Sequence, residues 1–186
     1  MLDKMNSFMG KQLLILLGLL IGLQANSANA INPDKVYDSS IKTIRVHPMG
    51  NALAMPVISL SQLNPLEISF DDLKAKYQNY FYSVELMNSD WRSANLSVFD
   101  YLQGFNQNRI TQYSISSIAI QRYYHYKFTF PNTNCRPTKS GNYIIKVYKD
   151  SNPQQVVFTS RFFVVDDQVS ILSSIQEPFD GNISKT

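Results

Sequence analysis

The stretch Ser140 to Tyr148, SGNYIIKVY, constrains this chain more than any other. Tyr143, Ile145 and Val147 alternate with Asn142, Lys146 and the tolerant pair Ile144 and Tyr148, which is the period of a strand with one buried face. Gly141 can take backbone angles closed to other residues, so it suits a sharp corner feeding that strand. The chain must therefore build a sheet here, entered through a tight turn.

In immunoglobulin-like sandwiches the sixth strand opens on a tyrosine whose hydroxyl bonds back to the corner backbone, two residues before the second disulfide cysteine. Tyr143 fits that place, and Ile145 stands where the cysteine would be. An ordinary strand that happens to open on tyrosine is the alternative. Cys135 is the only cysteine, which excludes an intramolecular disulfide and any cysteine-cluster metal site. A chain of 186 residues, 44% hydrophobic and 17% charged, can bury a core large enough to do without a staple.

The first thirty residues read as an address. Lys4 and Lys11 precede the apolar run Leu13 to Leu23, and Ala28-Asn29-Ala30 supplies small residues two apart, the pattern of a secretory signal cut after Ala30. Eleven apolar residues cover about 16 Å as a helix, against roughly 30 Å of hydrocarbon, so no direct membrane span is expected. An uncleaved anchor is the alternative. The formal net charge is +3, one unit of it from Lys4, Lys11 and Asp3, too weak and dispersed to imply nucleic acid as a partner.

From Ile31 to about residue 176 the pattern is short strands fenced by turn residues. Ile41–His47 and Val57–Leu60 read as edge or opening strands beside Pro48, Gly50 and Pro56. Leu66, Ile68 and Phe70 alternate with Glu67, Ser69 and Asp71; Tyr80, Tyr82, Val84 and Leu86 alternate with Phe81, Ser83 and Glu85; Tyr124, Tyr126, Phe128 and Phe130 share a face. Val156–Val165 is apolar on both faces apart from Thr159 to Arg161 and reads as central, with Arg161 at a rim or partnered. Ile110–Ile120 is strand-like but rich in serine, and Val169–Ile175 alternates weakly. Residues 177–186 have the composition of a tail. Seven to nine short strands without a long helix predict an all-β, immunoglobulin-like antiparallel sandwich.

One connection breaks the rhythm. Asn88 to Arg109 joins two strands with about twenty residues, where connections usually take about 4 to 6. Ser97 three before Asp100, then Val98, Tyr101 and Leu102 at helical spacing, then Gly104, predict a short helix lying over the sandwich. Phe99 and Phe105 are expected to anchor this excursion. Trp91, Arg92 and Tyr101 are the candidate partner contacts, because interfaces favour aromatic and arginine anchors.

Chemistry is scarce. His47 and His125 lie in strands with no nucleophile at motif spacing, and no hydrolase, zinc, phosphate-loop or dinucleotide motif occurs. Asp71-Asp72 and Asp166-Asp167 read as strand-end solvation rather than calcium ligation. Cys135, in a polar loop, reads as an incidental thiol. The residues point away from an enzyme and imply no cofactor and no metal.

Several segments in order, VYDSSIKTIRV from Val36, PVISL from Pro56, LEISFDDL from Leu66, YFYSV from Tyr80, DWRSANLSVFDYLQGF from Asp90, ITQYS from Ile110, YYHY from Tyr123, SGNYIIKVY and TSRFFVVDD from Thr159, resemble the first domain of the type IX secretion system plug protein family. The resemblance implies a periplasmic, non-enzymatic component that docks on the outer-membrane protein translocon and closes its periplasmic end. The rival reading is a stand-alone exported module binding glycan or another ligand through Trp91 and exposed tyrosines such as Tyr123 and Tyr148.

Overall fold

The computed structural model describes residues 32–62, 64–117, 120–168 and 174. The expected leader with Ala28 and Ala30, the tail at 177–186, and, Ser174 aside, the weak strand pattern of Val169–Ile175 lie outside the described residues. The strands run in the order β1 (Lys35–Val36), β2 (Ile41–Pro48), β3 (Val57–Ser59), β4 (Leu66–Asp72) and β5 (Tyr80–Met87). The excursion then carries helix α1 (Val98–Tyr101), β6 (Leu102–Gly104) and β7 (Asn108–Arg109). After it come β8 (Gln112–Ile115), β9 (Tyr124–Phe130), β10 (Cys135–Pro137), β11 (Gly141–Lys149) and β12 (Val156–Val165).

Two sheets face each other. The larger is ordered β1-β12-β11-β5-β7, with β3 also on β12, and the smaller β2-β4-β9-β8. The period-2 pattern explains the pairing: Tyr143, Ile145 and Val147 stand opposite Leu86, Val84 and Tyr82 on one side of β11 and Phe162, Ser160 and Phe158 on the other. Apart from Ser160, which is half-buried, these inner positions are buried, as are Leu66, Ile68 and Phe70 of β4 and Tyr126, Phe128 and Phe130 of β9. This is the all-β sandwich expected, with one departure, because β3 runs parallel to β12. Its three residues carry no signal of strand direction, and the turn that follows them sets it.

Rings fill the space between the sheets. Phe70 of β4 lies edge-on to Phe158 at 5.2 Å and to Tyr80 at 5.1 Å, and Tyr82 stacks on Phe128 at 4.4 Å across the gap. Such pairs add roughly 0.5–1.5 kcal/mol each beyond the area they bury.

The corner before β11 is closed by Tyr143, whose hydroxyl donates to the Lys139 carbonyl at 2.8 Å. Gly141 has φ +150, and a Cβ there would stand 2.9 Å from the end of the Leu86 side chain. Both faces of β11 are covered, so Ile144 and Tyr148 are buried as well. Tyr148 is thereby corrected from an exposed aromatic to a core-like residue stacked on Phe81 at 6.3 Å.

Two further elements differ from expectation. Strand β8 takes only four residues of Ile110–Ile120, because Ser116 turns the chain by donating its N–H to the Tyr123 carbonyl. Asp72 is 1% exposed rather than solvated; it accepts from the Tyr80 hydroxyl at 2.8 Å and from the Lys74 backbone at 3.0 Å. Its neighbour Asp71 points to the opposite face and meets His125 Nδ1 at 2.7 Å.

The edge strand β2 contains a bulge. Lys42 pairs with Asp71 but Arg45 with Ser69, so three steps on β2 match two on β4. Thr43 absorbs the extra residue at φ +52. Beyond it Ile44 and Val46 turn toward the core, where an unbroken strand would send Arg45. A carboxylate clamp ties that corner down: Asp38 accepts from Lys74 at 2.7 Å and also from Lys149. Burial would raise its carboxyl, but hydrogen bonds from Lys149, Lys74 and Ser40 outweigh that and hold it well below the usual carboxylate range. These elements belong to one compact unit, Asn32–Thr186, with its own core.

Two measurements test this account. Tyr143→Phe removes a buried donor and leaves the Lys139 carbonyl unpaired, so the unfolding free energy from urea titration falls by about 1 kcal/mol; no loss would disconnect the hydroxyl from the corner. Thr43→Gly relieves a β-branched residue of a left-handed backbone and raises the same quantity by about 1 kcal/mol; a decrease would show that the Thr43 side chain supports the bulge.

Candidate functional site

The excursion between β5 and β8 gives only the two-residue β7 to the larger sheet, and the rest of it is wrapped around the sandwich. It leaves β5 as a tight turn: the Trp91 N–H donates to the Asn88 carbonyl at 3.0 Å, and the Asn88 N–H to the Arg92 carbonyl at 2.8 Å. Trp91 takes φ +61 to make that turn. Ser93 and Ala94 then return alongside Met87 and Leu86.

The turn arches over the outer face of the larger sheet. Asn142 Nδ2 donates to the Asn88 carbonyl at 3.3 Å, and the Trp91 ring lies edge-on to Phe163 with centroids 5.7 Å apart. The Arg161 guanidinium sits 5.2 Å over the same ring. Asp34 holds Arg161 in turn, accepting from its backbone N–H at 2.9 Å and from its side chain. Trp91 is thus half-buried in a stack of its own molecule. Arg92 projects into solvent beside Asp90 at 3.3 Å.

Past Asn95 the excursion closes one end of the sandwich. The Asp100 carboxylate accepts from the Ser97 N–H at 3.1 Å, starting the single turn of α1. Val98, Tyr101 and Leu102 fall inward at the spacing of one helical face and join the core. Tyr101 is 3% exposed, 6.1 Å from Tyr143, and its carbonyl accepts from the Thr138 N–H at 2.9 Å. Burial pushes its phenol up to about 12.

Strand β6 pairs with β10, and Gly104 sits so close to that neighbour that a Cβ would meet the Asn134 carbonyl oxygen at 2.0 Å. With φ +103, this position admits glycine for two independent reasons. Asn106 then accepts from the Val84 N–H at 2.9 Å, and β7 continues along the same edge of β5.

The expected roles of the aromatics are therefore exchanged. Tyr101 is corrected from partner contact to anchor, because the inward helical face includes position 101. Phe99 and Phe105 are corrected from anchors to outward side chains, 87% and 74% exposed, with Leu96 also in water. Of the three proposed contacts, Trp91 and Arg92 share one turn, while Tyr101 lies in the core. The signal that could have found Phe99 was present in the sequence: on a single helical turn, a residue between Val98 and Tyr101 cannot face the same way as both.

Elsewhere the surface offers little chemistry. Among the described residues no group of three or more His, Cys, Asp and Glu could hold a metal. Cys135 is buried, and burial pushes its thiol up to about 11, away from the reactive thiolate. A depression of about 630 Å³ runs along β6 and the turn before β10, lined by Gln103, Pro131, Asn132, Thr133 and Arg136, with no Cys, His or carboxylate among its lining residues.

The fold and the wrapped excursion define an all-β sandwich module. Residues 41–166 match the model of the type 9 secretion system plug protein, first domain, and the chain belongs to that family. The crystal structure of a hypothetical protein from Parabacteroides merdae is similar at 34% identity and a TM-score of 0.69, over 72% of this chain and 34% of that one. The chain thus spans about a third of that protein's length. An alkylpurine DNA glycosylase from Pseudomonas fluorescens, bound to DNA containing an abasic site analog, is 11% identical over 67% of this chain and 30% of that one, with a TM-score of 0.34, and carries no argument. No curated protein matches.

Trp91 is the only tryptophan, so intrinsic emission reports this stack alone. Arg161→Ala uncovers the ring, shifts the emission to longer wavelength and costs about 0.5–1 kcal/mol of stability. Unchanged emission would mean that the guanidinium does not cover Trp91 in solution.

Proposed function

We propose that the chain is a non-enzymatic periplasmic component of the type IX secretion system, docking on the outer-membrane translocon and closing its periplasmic end. Membership of the plug family supports the system. The basic and apolar leader pattern of residues 1–30 supports export. Docking is assigned to the outward side of the excursion, at Leu96, Phe99 and Phe105, with Arg92 at its first turn.

The observation that carries this surface is a contrast within one segment. The excursion is stitched down by Val98, Tyr101, Leu102 and Asn106, yet leaves two phenylalanines almost wholly in water. Folding gains nothing from those rings, whereas a binding surface does, since rings held on a rigid frame lose little entropy on docking. A stopper needs the same frame, because a body that deformed would not seal.

The glycan reading is weaker. Trp91 is occupied by Phe163 and Arg161, and Tyr148 is buried, so two of the three aromatics on which that reading rested are taken up by the fold itself.

The double variant Phe99→Ala with Phe105→Ala keeps the wild-type melting temperature and binds the purified translocon barrel in detergent about 30-fold more weakly or worse, as for a hot spot of about 2 kcal/mol. Binding equal to wild type would remove these rings from the interface.

A further inference from the structure

A sandwich of open sheets must protect its edges, since an unpaired strand is a template for another chain. Three of the edges here are visibly managed. On the outer side of β12, β1 and β3 are two and three residues long, and Asp34 takes the Arg161 N–H between them. Beyond β5, β7 is two residues long and Asn106 occupies the Val84 N–H. The β2 edge carries the Thr43 bulge with Lys42 and Arg45 beside it.

The fourth edge has none of these devices. Strand β8 pairs with β9 in unbroken register from Gln112 opposite Lys127 to Ile115 opposite Tyr124, and all four of its residues are exposed. From Thr111 to Gln121 the chain has no charge, no proline and no glycine. Tyr113 and Ile115 share the inward face of the strand and remain 50% and 56% exposed, even though the Tyr113 ring meets that of Tyr77 at 5.0 Å.

We propose that β8 is a self-association edge whose occupant is β8 of a second copy of this chain, running antiparallel to it and joining the two smaller sheets into one. The edge is complementary to itself. In an antiparallel pair directly opposed residues point to the same face, so a twofold axis must pass through a residue and not between two. Placed through Ser114, the axis sets Tyr113 against Ile115 of the second copy twice on the inner face, Ser114 against its counterpart and Gln112 against Ser116 on the outer face. Aromatic with β-branched is a favoured cross-strand pair, and no like charges oppose each other. The same operation at the β2 edge would bring Lys42 and Arg45 toward their own copies. Four residues bury little area, so the dimer is weak and depends on concentration.

The test is sedimentation equilibrium on the compact unit Asn32–Thr186, up to millimolar concentration. Wild type dimerises; Ser114→Lys alone and Ser114→Glu alone stay monomeric, because like charges face each other across the axis; an equimolar mixture of the two dimerises again. Near-UV circular dichroism equal to wild type shows that both variants fold, as expected for an outward side chain. A wild type that stays monomeric, single variants that associate like wild type, or a mixture that stays monomeric would each overturn the proposal. Binding to the translocon through the excursion is a separate measurement, so either result can fail without the other.

Discussion

The structure depends on burying tyrosines without burying their hydroxyls unpaired. Tyr80, Tyr82, Tyr101, Tyr126 and Tyr143 all lie between or at the ends of the sheets, and an unpaired buried hydroxyl costs about 1–3 kcal/mol. Four of the five are placed so that the hydroxyl oxygen reaches a specific partner. Tyr80 donates to Asp72, Tyr126 to the Gln78 carbonyl at 3.0 Å and Tyr143 to the Lys139 carbonyl, while Tyr82 accepts from Asn132 at 2.7 Å. Burial raises the phenols of all five, which keeps the hydroxyls neutral through the physiological range. The rings supply the apolar area, and the hydroxyls fix which loop lies over which ring. In a sandwich without an inter-sheet disulfide this does the work of register: a one-residue slip would strand several hydroxyls at once, as well as turning each strand's apolar face outward.

The outer face of the smaller sheet shows a second constraint that follows from the pairing. Asp71 of β4 lies between Lys42 of β2 and His125 of β9, while Glu67 stands opposite His47 and Thr129 and next to the Arg45 and Lys127 positions that flank Ser69. Lys127 bonds Glu67, and His125 bonds Asp71. Exposed pairs like these contribute little stability, roughly 0–1 kcal/mol each. Their effect is on order, because acidic β4 is satisfied only between basic neighbours. At β8 the alternation stops, and Gln112 and Ser114 present neither sign. The charge pattern thus distinguishes inner strands from an edge left neutral.

Strand existence was legible in the sequence because alternation is a local property. Leu66, Ile68 and Phe70, or Tyr80, Tyr82 and Val84, announce a buried face whatever they pair with. Direction and neighbours are not local, so the parallel pairing of β3 with β12 left no trace in the three residues Val57–Ser59. The burial of Tyr148 was hidden for the same reason: its outward phase on β11 reads as exposed until a second layer, here Phe81 beside it, covers that face. Asp72 read as solvated because an acidic pair at a strand end usually is; its burial depends on Tyr80, eight residues away, reaching back to it. The excursion was half legible. Ser97, Asp100 and Gly104 marked its helix and its turn, and the inward phase of Val98, Tyr101 and Leu102 was on view. Aromatic composition pulled Phe99 and Phe105 toward an anchoring role that the phase of the helix denies to Phe99.

That exchange of roles bears on how a sandwich module comes to present aromatic side chains outward. The excursion contains two non-glycine residues with left-handed backbones, Trp91 at φ +61 and Asn95 at φ +52, each an unfavourable choice for a free loop. They persist because the flanking contacts over-determine the path: the Trp91 ring is held by Phe163 and Arg161, and the chain after Asn95 is pulled into the core by Val98 and Tyr101. The same contacts that hold the strained turns also fix the direction of what is left over. Phe99 projects outward because its neighbours Val98 and Tyr101 are committed inward, so its exposure is set by the core and not by the loop's own freedom. A surface made this way is as rigid as the sandwich beneath it, and a partner that docks on it does not have to order it first.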